Sequence, residues 1–184
     1  MEIIAINNIK KNRIVKDIRE GKIFIYPTDT IYGLGCNALD REAVSKIRGI
    51  KERENKPFSV IAPSKKWIFD NFKANKSYID KLPGPFTFVV KMNKKGIVAE
   101  NVNLKSNTLG VRIPNHIFSV LVQEAKVPFI TTSVNISGKK PINSVKEIPK
   151  KILKNVDIII DEGTLNNNPS TVIDLTGKTA KILR

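Results

Sequence analysis

Short apolar runs alternate with helix-periodic stretches along this chain, and clusters of polar residues fall where the runs end. No other feature restricts the fold as strongly, because strands separated by helices build parallel or mixed sheets covered on both faces. Asn7 or Asn8 is placed to cap a helix carrying Ile14, Val15 and Ile18 on one face, with Gly21 as its stop. Residues 22–26 read as a strand ended by Pro27. Asp40 caps a helix that aligns Ala43, Val44, Ile47 and Ile50. Residues 58–62 read as a buried strand, and Ser64 opens a helix containing Trp67, Ile68 and Phe72.

Farther along, residues 83–85 form a rigid turn before a strand at 86–91, and a strand at 108–113 is stopped by Pro114. Ile117, Val120 and Leu121 follow helical spacing, and residues 128–132 form a strand that runs into a polar loop. Ser144 and Glu147 make a capping box for a short helix. Residues 156–161, 170–175 and 180–183 read as closing strands. The expectation is an α/β fold: a twisted, open, mixed β-sheet flanked by helices. With 184 residues and no repeat, low-complexity tract or linker, one domain over 1–184 is predicted.

Composition excludes several classes. A chain with 41% hydrophobic and 27% charged residues is ordinary for a globular protein and unlike a disordered one. One cysteine, Cys36, excludes a disulfide framework, and with only His116 beside it a His/Cys metal centre is excluded too. The N-terminus lacks the basic flank and apolar core of a signal peptide. The longest uncharged run, 12 residues from 127 to 138, is too short and too polar to span a bilayer. A soluble cytoplasmic protein is the expectation. The net charge of +15 points to a polyanionic partner, nucleic acid or nucleotide. Much of the lysine excess is equally explained by a coding bias, since 25 Lys stand beside 27 Ile and 18 Asn. Arginine is scarce at seven, so an Arg inside a motif carries more information than a Lys.

Four polar segments carry candidate chemistry. Residues 26–35 place Thr28, Asp29, Thr30 and two glycines straight after a strand, where backbone N–H groups and hydroxyls can meet a ligand. Gly33, Gly35 and Ala38 match a loose dinucleotide pattern, rejected because the glycines do not follow the strand directly and no acid-ended second strand comes after. Lys51, Arg53 and Lys56 set three cations within six residues, enough to line a polyphosphate pocket or simply to make a solvated turn. Arg112 interrupts an apolar strand and requires either an ion-pair partner or a place at a site's mouth. Residues 131–138 supply five hydroxyl or amide side chains at a strand's carboxyl end, where open α/β sheets bind ligands. His116 reads as a surface or capping group and Cys36 as a small buried hydrophobe. The basic stretch 139–154 reads as a solvated face. No P-loop and no Ser/His/Asp set is present. Together the segments describe a cationic cleft for an anionic small ligand, a nucleotide.

The same segments resemble the YrdC family, the threonylcarbamoyl-AMP synthases. The matching text is 26–38 (YPTDTIYGLGCNA), 51–53 (KER), 56–59 (KPFS), 83–87 (PGPFT), 110–114 (GVRIP), 133–139 (SVNISGK), 170–174 (STVID) and 182–184 (ILR), in order. The family's K-x-R…S-x-N signature stands here as Lys51, Arg53, Ser133 and Asn135. The resemblance implies a large concave basic cavity and condensation of L-threonine, bicarbonate and ATP to threonylcarbamoyl-adenylate and pyrophosphate, with Mg²⁺ on the nucleotide. It implies a downstream tRNA threonylcarbamoyl transferase, which modifies the adenosine beside the anticodon, with at most weak direct binding of tRNA. It implies Thr30, Arg112, Ser133 and Ser170 for threonine, and Arg53, Lys56, Thr108, Asn135, Asn143, Ser144 and Arg184 for ATP. Lys51 and Arg53 would be catalytic beside the phosphates, and no protein-held metal is implied. Ile61 stands where many members carry a His. The competing reading is an RNA-binding module that uses the basic cavity without nucleotide turnover. Against it, only 7% of residues are aromatic and none form a stacking stripe with the cations.

Overall fold

The structure, a computed structural model, describes residues 1–53, 56–104, 106–136 and 138–184. In chain order, β1 (Glu2–Ala5) leads through a 3-10 turn (Ile6–Asn8) to α1 (Lys11–Arg19). β2 (Phe24–Tyr26) and β3 (Gly33–Gly35) precede α2 (Arg41–Lys51) and β4 (Ser59–Ile61). α3 (Lys65–Asn71), β5 (Phe72–Lys73), α4 (Lys76–Ile79), β6 (Phe86–Met92) and β7 (Thr108–Arg112) follow. The chain continues through α5 (Ile117–Ala125), β8 (Phe129–Ser133), α6 (Lys150–Leu153), β9 (Ile158–Asp161), β10 (Thr171–Asp174) and β11 (Lys181–Ile182).

Local chemistry sets most helix ends. The Asp40 carboxylate accepts from Ala43 N at 3.0 Å and the Ser64 hydroxyl from Trp67 N at 3.0 Å, each satisfying an orphan donor of the first turn. His116 caps α5, its Nδ1 accepting from Phe118 N at 3.1 Å. Gly21, past the end of α1, sits at φ +74°, a conformation glycine adopts without strain. The expected Asn cap of α1 is not formed: Asn7 and Asn8 lie in the 3-10 turn, and the capping position is Lys10, without a side-chain bond. The capping box at 144–147 opens a 3-10 turn (Val145–Glu147), with Glu147 Oε2 accepting from Asn143 N at 3.0 Å.

Among the described residues eleven strands join one open sheet in the order β1-β9-β2-β3-β8-β4-β7-β6-β10-β11, with β5 beside β6. Pairing is mixed: β1–β9, β9–β2, β4–β7 and β6–β10 run parallel, the rest antiparallel. The period of two divides the core between the faces. Phe24, Tyr26, Ile61, Phe129, Ile158 and Ile160 pack with Ile14, Val15, Ile18, Phe118, Leu121 and Val122 of α1 and α5. Their neighbours Ile25, Val60, Ile130 and Ile159 face the other way, onto Val44 and Ile47 of α2.

Candidate active site

A cavity of about 400 Å³ opens on the sheet. Its floor is made by alternate residues of neighbouring strands: Thr87 and Val89 of β6, Thr108, Gly110 and Arg112 of β7, Thr131 and Ser133 of β8, and Val172 of β10. Such residues share one face of the sheet, the one on which α1 and α5 cover Tyr26, Ile61 and Phe129, so the site lies beside those helices on the sheet surface rather than only at the strand ends the sequence suggested. The loop 28–33 closes one side, and Arg53, Pro57 and Phe58 another. Ser170, just before β10, and Leu183 and Arg184, just after β11, complete the lining. Small floor residues keep the space open: a Cβ on Gly110 would lie 2.3 Å from Ser59 Oγ. Three arginines and no acidic side chain line the described wall, which is the electrostatics an anion requires.

The structure brings Thr30, Arg53, Thr108, Arg112, Ser133, Ser170 and Arg184 to this cavity, from segments up to 154 positions apart. Arg112 is 6% exposed and ion-paired, its Nη2 lying 2.7 Å from Asp29 Oδ1. Burial pulls its pKa down and the Asp29 carboxylate opposes that. Arg112 therefore has the partner a buried cation needs and also reaches the site. Arg53 stacks over Phe58 with its guanidinium carbon 5.1 Å from the ring centroid, and Nη1 donates to Thr132 Oγ1 at 3.5 Å. Its Nε is buried and, among the described residues, finds no protein partner. Ser170 Oγ pairs with Thr87 Oγ1 at 3.0 Å, and Arg184 Nη2 donates to the Ser170 carbonyl at 3.3 Å.

Lys51 stands apart from the phosphate position implied for it. It is 2% exposed and beneath the loop, not among the residues lining the cavity. Its ammonium donates to Ser133 O at 2.7 Å, Asn135 O at 2.6 Å and Asn135 Oδ1 at 2.6 Å, which spends all three of its protons. Burial first, then the Arg53 cation, push its pKa down to about 8. The Asn135 side chain is tied into the loop as well: Oδ1 accepts from Lys51 and from Ser133 Oγ at 2.6 Å, and Nδ2 donates to Lys139 O. Lys56, Asn143 and Ser144 do not line the cavity; Lys56 and Asn143 are exposed, and Ser144 Oγ accepts from Lys146 N at 3.4 Å. Glu54 and Asn55 of the basic turn, and Ser137 of the polar loop, lie outside the described residues. Ile61 pairs with Arg112 in register and shares its face of the sheet, but its side chain packs among Phe118 and Phe129 and does not line the cavity.

The residues that sequence reasoning passed over are those with no local signal. Asp29 sits inside a segment singled out for chemistry, yet its partner is 83 positions away. Thr87 looks like an ordinary strand residue until the pleat shows that it shares a face with Val89, Gly110 and Arg112. Among the described residues no group of three or more His, Cys, Asp or Glu could hold a metal ion, and no helix is long and apolar enough to cross a membrane.

This arrangement has counterparts. The model of the Sua5/YciO/YrdC family, described as telomere recombination, matches residues 16–184. A Methanocaldococcus jannaschii protein with the provisional name threonylcarbamoyl-AMP synthase is 39% identical over 186 residues, 95% of this chain and 86% of its own. Escherichia coli YciO, whose name states no activity, is 31% identical over 94% of this chain and 87% of its own. Pyrococcus abyssi Sua5, solved in complex with L-threonine, superposes with a TM-score of 0.88 at 31% identity. That match covers all of this chain and 57% of the Sua5 chain. With the matched model spanning nearly the whole sequence and the fold repeated in these relatives, the chain belongs to the Sua5/YciO/YrdC family.

Proposed function

We propose that this protein is a threonylcarbamoyl-AMP synthase. The observation that carries the reading is one cavity combining the buried Arg112 with Thr30, Ser133 and Ser170, and the stacked Arg53 with Thr108 and Arg184. The first group suits an amino acid, with Arg112 meeting the carboxylate; the second suits a nucleoside triphosphate. Names of relatives and the threonine complex of Pyrococcus abyssi Sua5 support it.

The reaction balances as two steps. The threonine amine adds to bicarbonate and water leaves, giving a carbamate. A carbamate oxygen then attacks the α-phosphorus of ATP in line, forming the P–O bond of threonylcarbamoyl-adenylate as the bond to pyrophosphate breaks. Little covalent work falls to the protein, so alignment and charge stabilisation dominate. Arg53 offsets charge developing on the phosphates. Lys51 acts through the loop: by holding the carbonyls of Ser133 and Asn135 it fixes the strand end against which both substrates lie. Mg²⁺ travels with the nucleotide as part of that substrate, and no step runs through it. The adenylate is a mixed anhydride that a transferase consumes to modify adenosine beside the anticodon of tRNA, which places the protein in the cytoplasm.

The test is pyrophosphate release from ATP, Mg²⁺, L-threonine and bicarbonate, omitting each small substrate in turn. Release should require both threonine and bicarbonate and fall roughly 10- to 100-fold in Arg53→Ala, as loss of a charged contact predicts. Release indifferent to threonine would overturn the reading and leave RNA binding by the basic surface as the alternative to measure.

A further inference from the structure

Arg112 is held by an unusually complete set of contacts on one side. Thr28 Oγ1 donates its proton to Ile31 O at 2.8 Å, so in its 2.9 Å contact with Thr30 Oγ1 the Thr30 hydroxyl must be the donor. Thr28 Oγ1 also accepts from Thr30 N at 3.1 Å. With its proton committed, Thr30 Oγ1 faces Arg112 as an acceptor, receiving Nη1 at 3.4 Å and Nη2 at 3.3 Å. The other proton of Nη2 goes to Asp29 Oδ1 at 2.7 Å. Asp29 Oδ2 accepts instead from Asn115 N at 2.9 Å, so the carboxylate meets Arg112 through one oxygen. Asp29 is itself tethered through its carbonyl, which accepts from Asn167 Nδ2 at 3.2 Å.

Of the five guanidinium protons, three are therefore committed, and those of Nε and half of Nη1 are not; Nε is buried without a partner among the described residues. A buried N–H left unmet is costly unless something arrives to meet it. We propose that Asp29 is the positioning residue for Arg112. With Thr28 and Thr30 it fixes the guanidinium plane and restricts a substrate carboxylate to the protons left over. Thr30, named above for substrate, then acts on it through Arg112, because its hydroxyl has no proton to offer. The assignment of that carboxylate to threonine rests on the proposed function; the positioning itself does not.

Two measurements test it. The first compares L-threonine with L-threoninol, which lacks the carboxylate, by calorimetric binding to wild type, Asp29→Asn and Thr28→Val, with ATP as control. Wild type should prefer threonine. Asp29→Asn should weaken threonine roughly 10- to 100-fold, leave threoninol and ATP within about threefold, and so erase the preference. Thr28→Val should do the same to a smaller degree. A variant that folds and keeps the wild-type threonine-to-threoninol ratio overturns the proposal.

The second measurement needs no ligand. The Arg112 Nε–H resonance, assigned with Arg112→Lys, should be a single exchange-protected line in wild type and should shift and exchange faster in Asp29→Asn. An unchanged line overturns the proposal. If wild-type protein ignores threonine, the functional reading falls while this second result alone decides the positioning.

Discussion

Replacing Lys51 by methionine separates positioning from stability. Methionine matches the length of lysine but removes the ammonium. The carbonyls of Ser133 and Asn135 then lose a charged donor, whereas Asn135 Oδ1 keeps the Ser133 hydroxyl. Two under-satisfied buried acceptors cost about 2–5 kcal/mol. Against that, the fold holds the ammonium at a disadvantage: the fall of its pKa from 10.5 to about 8 corresponds to about 3 kcal/mol against the charged form. The two nearly cancel, so the variant should lose about 0–2 kcal/mol, a drop in Tm of at most about 8 °C for a chain of this size. Activity should respond differently. The loop bearing Ser133 and Asn135 loses its anchor, and misplacement by about 1 Å costs roughly 100-fold in rate.

Titration gives the same comparison a signed pH dependence. The folded pKa lies below the unfolded one, so between pH 8 and 10.5 the unfolded chain binds more protons at Lys51. The contribution of this group to stability therefore rises with pH across that window, and below it the full cost of holding the ammonium is present. Wild type should accordingly gain Tm relative to Lys51→Met from pH 8 to 10.5. Pyrophosphate release and thermal denaturation read both effects. Activity within about threefold of wild type would refute the positioning role, and a Tm loss beyond about 15 °C would refute the energy balance.

Two further outcomes follow from packing. Gly35→Ala should lower Tm by at least about 6–12 °C, or abolish folding, because its Cβ would lie 1.8 Å from the Ile130 carbonyl oxygen between β3 and β8; circular dichroism melts check this. Cys36 is fully buried and burial pushes its thiol pKa up, so a thiol reagent should label it only after denaturant is added. Labelling of native protein at the rate of a free thiol would contradict the placement of β3.

The elements legible in the sequence are those whose cause is local. Asp40 and Ser64 announce their helices because a cap acts on a backbone N–H three residues ahead. Gly21 marks a stop because only its own φ is at issue. The alternation of apolar strands with amphipathic helices carried the mixed α/β class, and the ordered segments from residue 26 to residue 184 carried the family. Residues 33–35 read as part of a ligand loop, yet they form β3, because whether Gly-Leu-Gly is a strand depends on β2 and β8 standing beside it. β1 was missed for the same reason: four residues at the sheet's edge gain their structure from β9, more than 150 positions away.

At the site the division is sharper still. The sequence offered Arg112 as either an ion pair or a site residue, and only the fold, which brings both Asp29 and the cavity against one guanidinium, makes it both. It also offered Lys51 and Arg53 as equivalent cations of one turn. At the end of α2 their directions differ: Arg53 stacks on Phe58 at the cavity wall, while Lys51 points beneath β8 and spends every proton on the loop. Residue types and local spacing determine which chemistry a chain can perform. Which side chain touches substrate, and which one holds another in place, depends on contacts between strands distant in sequence, and these exist only once the sheet has assembled.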